Sequence, residues 1–355
     1  MTLSLVLSAL FACGETAPEL ESPEGAEPVA EGGAPAEVPA EAEANKLRSS
    51  ASAVFAALPK EVPNPDNPIS DAKIELGRML YYERRLSRAD DLSCNSCHKL
   101  DGYGVDNEPT SPGHEGQRGA RNSPTVYNAA LHATQFWDGR AKDVEAQAMG
   151  PILNPVEMAM EGPEAVMEKL SKIEGYRELF ATAFPGEEEP MTYDNVGKAI
   201  GAFERRLLTP SPFDAWLGGD DTAMSEAQLA GLQLFMDTGC TTCHSGPALG
   251  GQLFMKLGQV RPYETKDAGR FEVTNDEADR HLFKVPSLRN VAKTAPYLHD
   301  GSISSLEEMV RLMAAHQLGK DLKEPEIESL VAFLEALTGE LPTEYIKEPE
   351  LPGQG

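Results

Sequence analysis

Residues 94–98 read Cys94-Asn95-Ser96-Cys97-His98, and residues 240–244 read Cys240-Thr241-Thr242-Cys243-His244. Each is a Cys-x-x-Cys-His pentad, the attachment signature of a c-type haem. The spacing follows from the chemistry. Two thiols add to the two vinyl groups of the porphyrin, and the histidine that follows ligates the iron from one face. A zinc site built from two Cys-x-x-Cys pairs is the competing reading. A histidine directly after each pair, in a chain with an export-like start, favours haem. The expectation is two covalently bound c-type haems, on Cys94, Cys97 and His98 and on Cys240, Cys243 and His244.

Four of the five cysteines lie in the pentads, so no pair is left for a disulfide. The fifth, Cys13, ends the apolar run Met1–Ala12, which is too short to span a bilayer. Residues 1–13 read as an export segment with a lipobox, Leu10-Phe11-Ala12-Cys13, and Cys13 would carry a lipid anchor. No Lys or Arg precedes Lys46, so the basic start of such a signal is missing. A cleaved, unlipidated signal is the alternative. Both readings place the chain in the periplasm, where c-type haem is attached.

Residues 14–45 carry nine Glu and five Pro with almost no large apolar side chain. Such a tract cannot bury enough surface to offset its ordering entropy and is expected to be a disordered acidic linker. The remaining ~310 residues suggest two domains, 46–208 and 209–345. The net charge of the chain is −26, of which the linker holds −9. That balance argues against nucleic acid as a partner.

Helical periodicity dominates the folded part. Val196, Ile200, Phe203 and Leu207 form one stripe, and Ile327, Leu330, Val331, Leu334 and Leu337 another. Residues 164–184 read as a further amphipathic stretch, and no alternation is long enough to predict a sheet. The fold class expected is all-α. An internal repeat supports two c-type cytochrome domains related by duplication. Pro124, Asn128 and Asp138-Gly139 recur as Pro286, Asn290 and Asp300-Gly301 at an offset of 162. Leu76-Gly77 and Leu80 before the first pentad resemble Ala230-Gly231 and Leu234 before the second. The pentads are offset by 146, so the second unit carries about 16 extra residues within 254–280.

The two units offer unequal ligands for the far face of the iron. His114 lies in the polar, Gly-rich loop 100–121. The second unit offers Met255, Met309, Met313 and His316, and residue spacing alone does not choose among them. His316, three residues after Met313, shares its helix face. His132 stands where the repeat has Thr294, and no role is assigned to it.

These features resemble the bacterial dihaem cytochrome c peroxidases over about residues 63–339. The resemblance rests on Leu86-Ser87, Ser93 to His98, Gly113-His114, Arg121 to Thr125, Gln135 to Arg140, Val156-Glu157-Met158, Asp237 to Cys240, Ala295-Pro296-Tyr297 and Gln317-Leu318-Gly319. It implies reduction of hydrogen peroxide at the first haem, with His98 as proximal ligand and His114 as a removable distal one. It implies His244 and Met313 as ligands of a second, high-potential haem, and Trp137 as a conduit between the two. Glu157 would be the acid–base group for peroxide and Gln147 its orienting partner. Asn122 and the carbonyls of Thr294 and Pro296 would hold calcium, whose oxygen-only preference they suit. The expected partners are a small electron-donor protein, a cytochrome c or a cupredoxin, and a second copy of the chain in a homodimer.

Two other classes are weighed against the peroxidase. A dihaem electron carrier would need no acid–base group beside the first haem, and Glu157 and Gln147 argue against it. A side-chain-oxidising dihaem enzyme would carry tyrosine at the second haem's distal position, where Met313 stands.

Overall fold

In the computed structural model residues 40–353 are described. The export segment with Cys13, and the linker up to Pro39, lie outside the described residues. The range read as linker already contains a helix start, because α1 spans Ala40–Ser52. The first half continues with α2 (Asp71–Tyr82), a single turn α3 (Cys94–Cys97), α4 (Val144–Leu153), α5 (Pro163–Ser171), α6 (Tyr176–Ala183) and α7 (Tyr193–Glu204). The second half holds α8 (Pro212–Leu217), α9 (Glu226–Thr238), α10 (Phe271–Thr274), α11 (Leu306–Leu318) and α12 (Glu324–Glu335).

Local chemistry sets these boundaries. Ser70, Thr192, Ser225 and Ser305 cap α2, α7, α9 and α11 by accepting a backbone N–H two or three residues on. The stretch 164–184, read as one amphipathic element, is two helices. Gly175, at φ 98°, breaks it before α6. One sheet element escaped the sequence pattern: β1 (Phe254–Lys256) pairs antiparallel with β2 (Leu282–Lys284), Phe254 opposite Lys284. Three residues are too few for alternation to be legible.

The apolar residues form two main cores. One gathers Leu76, Leu80, Tyr81, Ile152, Phe180, Ile200 and Phe203; the other gathers Phe213, Trp216, Leu232, Phe235, Leu330 and Phe333. In each, one helix pair crosses at a glycine. A Cβ on Gly77 of α2 would stand 1.9 Å from the carbonyl oxygen of Ala199 in α7, and one on Gly231 of α9 would stand 2.0 Å from that of Ser329 in α12. The stripe residues Val196, Ile200, Phe203 and Leu207 are fully buried. The cores depart from the cut at 208/209 at both ends of the chain. Leu47, Ala51, Val54 and Phe55 pack into the second core, and Leu341, Tyr345, Ile346 and Leu351 into the first. Apolar side chains near each terminus find their cover on the other half.

Matched features recur at the offset of 162. The bridge Gln135–Ala141 has its counterpart in Tyr297–Ile303. Asn128 and Asn290 both adopt left-handed backbone, at φ 62° and 61°. Both donate their side-chain amide to one atom, Thr209 Oγ1, at 2.9 and 2.8 Å. Thr209 therefore joins the two halves at their boundary.

Candidate active site

The first pentad sits between α2 and the loop that follows it. Tyr81, fully buried on α2, donates its hydroxyl to the carbonyl of His98 at 2.8 Å. His98 Nδ1 lies 3.3 Å from the Gly104 carbonyl, and His244 Nδ1 lies 3.1 Å from that of Leu249. A carbonyl can only accept, so Nδ1 carries the proton in both rings and Nε2 keeps its lone pair. Burial lowers the pKa of both imidazoles, His244 to about 4, which keeps them in the neutral, ligating form. Cys94, Cys97, Cys240 and Cys243 form no disulfide. These donor sets fit a haem at each pentad.

His114 lies in a one-turn segment, His114–Gly116, closed by a bridge between Pro112 and Arg118. The sequence reads this stretch as a loop; its backbone is tightly docked. The His114 amide donates to the carbonyls of Val156, at 3.1 Å, and Glu157, at 2.8 Å. Gly113 makes the approach feasible, since a Cβ there would stand 2.0 Å from the Val156 carbonyl oxygen. The His114 ring is largely buried, and its Nδ1 has no hydrogen-bond partner. A buried ring nitrogen without a partner is one that a ligand, metal or hydrogen-bonding group can satisfy.

Glu157 follows α4 and is half-buried. Burial raises its pKa, opposed by the Arg140 guanidinium. Its carboxylate lies close enough to the first pentad to help burial and Asp106 push the Cys97 thiol up to about 11. Gln147 is half-buried near the start of α4, ten residues before Glu157.

One largely apolar cavity of about 250 Å³ brings together Cys240, Cys243, His244 and the three methionines Met255, Met309 and Met313. All three reach this cavity. His316 turns away from it: its Nδ1 lies 3.0 Å from the Arg261 carbonyl, and its ring meets Tyr263 edge-on. Trp137 lines the same cavity and donates Nε1–H to the Asn122 carbonyl at 2.9 Å. Asn122, Thr294 and Pro296 also line it. Asn122 Nδ2 donates to the carbonyls of Glu108 and Pro109. Among the described residues no group of three or more His, Cys, Asp or Glu side chains is arranged to hold a metal; the calcium candidates are an amide and two carbonyls instead.

Sequence reasoning missed how the extra residues of the second half reach the first. Arg121, next to Asn122, donates to Asp138 and to Asp267. Burial works against the Asp267 carboxylate, yet Arg121 holds it below the usual range. Arg270 donates to the Asp138 carbonyl at 3.0 Å. Thus β1, α10 and their connections clamp the residue that follows Trp137. A second omission is the buried pair His132–Lys284, two single residues 152 positions apart that gave no pattern.

The model of the family described as di-haem cytochrome c peroxidase matches residues 71–222. The chain is 46% identical to cytochrome c551 peroxidase of Pseudomonas aeruginosa over 318 residues, 88% of this chain and 91% of that one. It is 48% identical to cytochrome c551 peroxidase of Nitrosomonas europaea over 282 residues, covering 78% and 83% of the two chains. A crystal structure of a MauG-like protein associated with microbial copper homeostasis superposes with a TM-score of 0.74 at 30% identity, over 82% of this chain and 97% of that one.

Proposed function

The chain belongs to the di-haem cytochrome c peroxidase family, and from that premise we propose how its own residues divide the work of reducing hydrogen peroxide. When bound, the two haems supply the redox chemistry, one at the peroxide and one as the entry point for electrons. His98 and His244 would hold the two haems through Nε2, each ring fixed by its Nδ1–H on a carbonyl. Met313 would complete the holding of the second haem, and a His/Met pair would raise the potential there.

Peroxide cleavage needs a proton taken from one oxygen and returned to the other. Glu157 does both; burial raises its pKa, which eases its protonation while Arg140 opposes the shift. Gln147 orients the peroxide without titrating. His114 would be a removable cover on that first haem, and Trp137 would serve as the conduit for electrons between the halves. Calcium at Asn122, Thr294 and Pro296 steadies the junction. The donor is a small cytochrome c or cupredoxin, and the enzyme works in the periplasm as a homodimer, tethered through Cys13 and the acidic linker. The reading of the two halves as a duplication is supported by the shared Thr209 contacts and the repeated bridges.

The observation that carries this reading is the direct fastening of the His114 backbone to Glu157, which ties the candidate cover to the candidate acid–base group. The test is pyridine haemochrome analysis beside peroxide turnover with a reduced donor. Two covalent haems per chain and turnover are expected. A single haem, or two haems without turnover, would overturn it.

A further inference from the structure

His132, Thr134 and Lys284 form a polar cluster at the junction of the halves, and the functions above use none of them. Lys284 ends β2 with only 7% of its surface exposed. Its backbone amide donates to the Trp137 carbonyl at 2.8 Å. Its Nζ donates to the Thr134 carbonyl at 2.9 Å and lies 3.1 Å from His132 Nδ1. An ammonium has no lone pair, so in that contact His132 Nδ1 accepts. Burial and the neighbouring Lys284 hold the His132 pKa well below its ordinary value. The ring is therefore neutral and carries its proton on Nε2.

That Nε2 is buried without a partner, and so is Thr134 Oγ1. An ammonium has three donors, and Lys284 uses two. The cluster thus offers an N–H, a hydroxyl and an ammonium proton with no acceptor among the described residues. Orphaned buried donors are costly, and an acceptor-only anion with two oxygens can accept from them. His132 and Lys284 line the cavity that contains Cys240, Cys243 and His244. A haem bonded to those two thiols by its vinyl edge carries its two carboxylates on the opposite edge.

We propose that His132, Thr134 and Lys284 are a carboxylate-binding site, and that it takes a propionate of the second haem. The inference rests on the reading that a haem occupies this cavity. It gives Lys284 a second task. Burial sets its pKa at about 7, partly offset by Asp138, and Asp138 is itself held by Arg121 and Arg140. On the facing strand β1, Lys256 is exposed. A bound propionate raises the lysine pKa, and an added electron on the iron raises it further. Reduction of the second haem therefore takes up a proton between pH 7 and the ordinary lysine value of about 10.4.

The experiment is a spectroelectrochemical titration of the second haem against pH in the full holoenzyme, with haem stoichiometry measured on each sample. In wild type the potential should fall with pH in that window, toward ~59 mV per unit for one proton per electron. Lys284→Met should lower the potential at neutral pH and flatten the slope. Lys284→Arg keeps the charge but cannot release its proton, so it should retain the higher potential and lose the slope. It also decides the matter if the Met variant fails to fold. A wild-type slope in Lys284→Arg, or an unchanged potential and slope in Lys284→Met, would overturn the proposal. Fewer than two haems in wild type would instead overturn the cofactor reading beneath it.

Discussion

The amide of His114 donates to the carbonyl of Glu157 at 2.8 Å, so the histidine proposed to cover the first iron and the carboxylate proposed to shuttle protons share one backbone contact. Moving the His114 segment therefore breaks a bond to the segment that positions Glu157. In the proposed mechanism, covering and uncovering the first haem would be mechanically coupled to setting the proton shuttle.

Glu157→Gln preserves side-chain shape and removes the base. General acid–base catalysis contributes ~10²–10⁴-fold, so peroxide turnover should fall at least ~100-fold while both haem spectra persist. Because burial raises the Glu157 pKa, wild-type turnover should decline as pH falls through a value above the ordinary carboxylate range, where the base becomes protonated. The variant should lack that limb. Steady-state rates across pH check both, and near-normal turnover in the variant would refute the role.

His114→Gly removes the covering ring and keeps the backbone amide that donates to the Glu157 carbonyl. The fully oxidised variant should have a high-spin first haem and react with peroxide without prior reduction. Electron paramagnetic resonance and stopped-flow mixing read this directly. An oxidised wild type already high-spin and equally reactive would show that His114 covers nothing.

Much of this was legible in the sequence, and the reasons differ by residue. The pentads dictate chemistry at fixed spacing, so the residues expected to bear haem could be named from the sequence alone. Stripes such as Val196–Ile200–Phe203 follow from the 3.6-residue period and proved buried. The break at Gly175 was hidden because an amphipathic pattern continues across a short interruption. The exchange of termini between the cores was hidden too, since periodicity says which face is apolar and not what covers it. Lys284 and His132 are far apart in sequence, and only the fold brings Nζ to within 3.1 Å of the ring. Likewise Met255, Met309 and Met313 all reach one cavity, so geometry alone does not rank them.

Thr209 accepts from two buried amides, Asn128 Nδ2 and Asn290 Nδ2. Thr209→Val keeps the volume and removes that acceptor. Each stranded donor costs ~1–3 kcal/mol, so unfolding should shift to clearly lower urea concentration. The change sits at the junction and spares both pentads, so haem content should stay at two. An unchanged midpoint would show that water replaces the hydroxyl.

The two helix crossings make the last prediction. At Gly77 and Gly231 a Cβ would lie 1.9 and 2.0 Å from a backbone carbonyl oxygen of the partner helix. Backbone cannot rotate out of the way as a side chain can, so α2 and α7, or α9 and α12, would have to separate. Overpacking costs typically ~1–3 kcal/mol, and separation also opens the core on either side. Gly77→Ala and Gly231→Ala should each destabilise the fold by at least that much. Gly119→Ala is the control, because a Cβ there meets nothing within 4 Å, and its effect should be small. Each crossing belongs to a different core, so the two losses should add within ~0.5 kcal/mol in the double variant. Denaturant titrations of the four variants and the wild type decide it: equal stability of Gly77→Ala and Gly119→Ala would mean that the close crossing is not what holds the first core together.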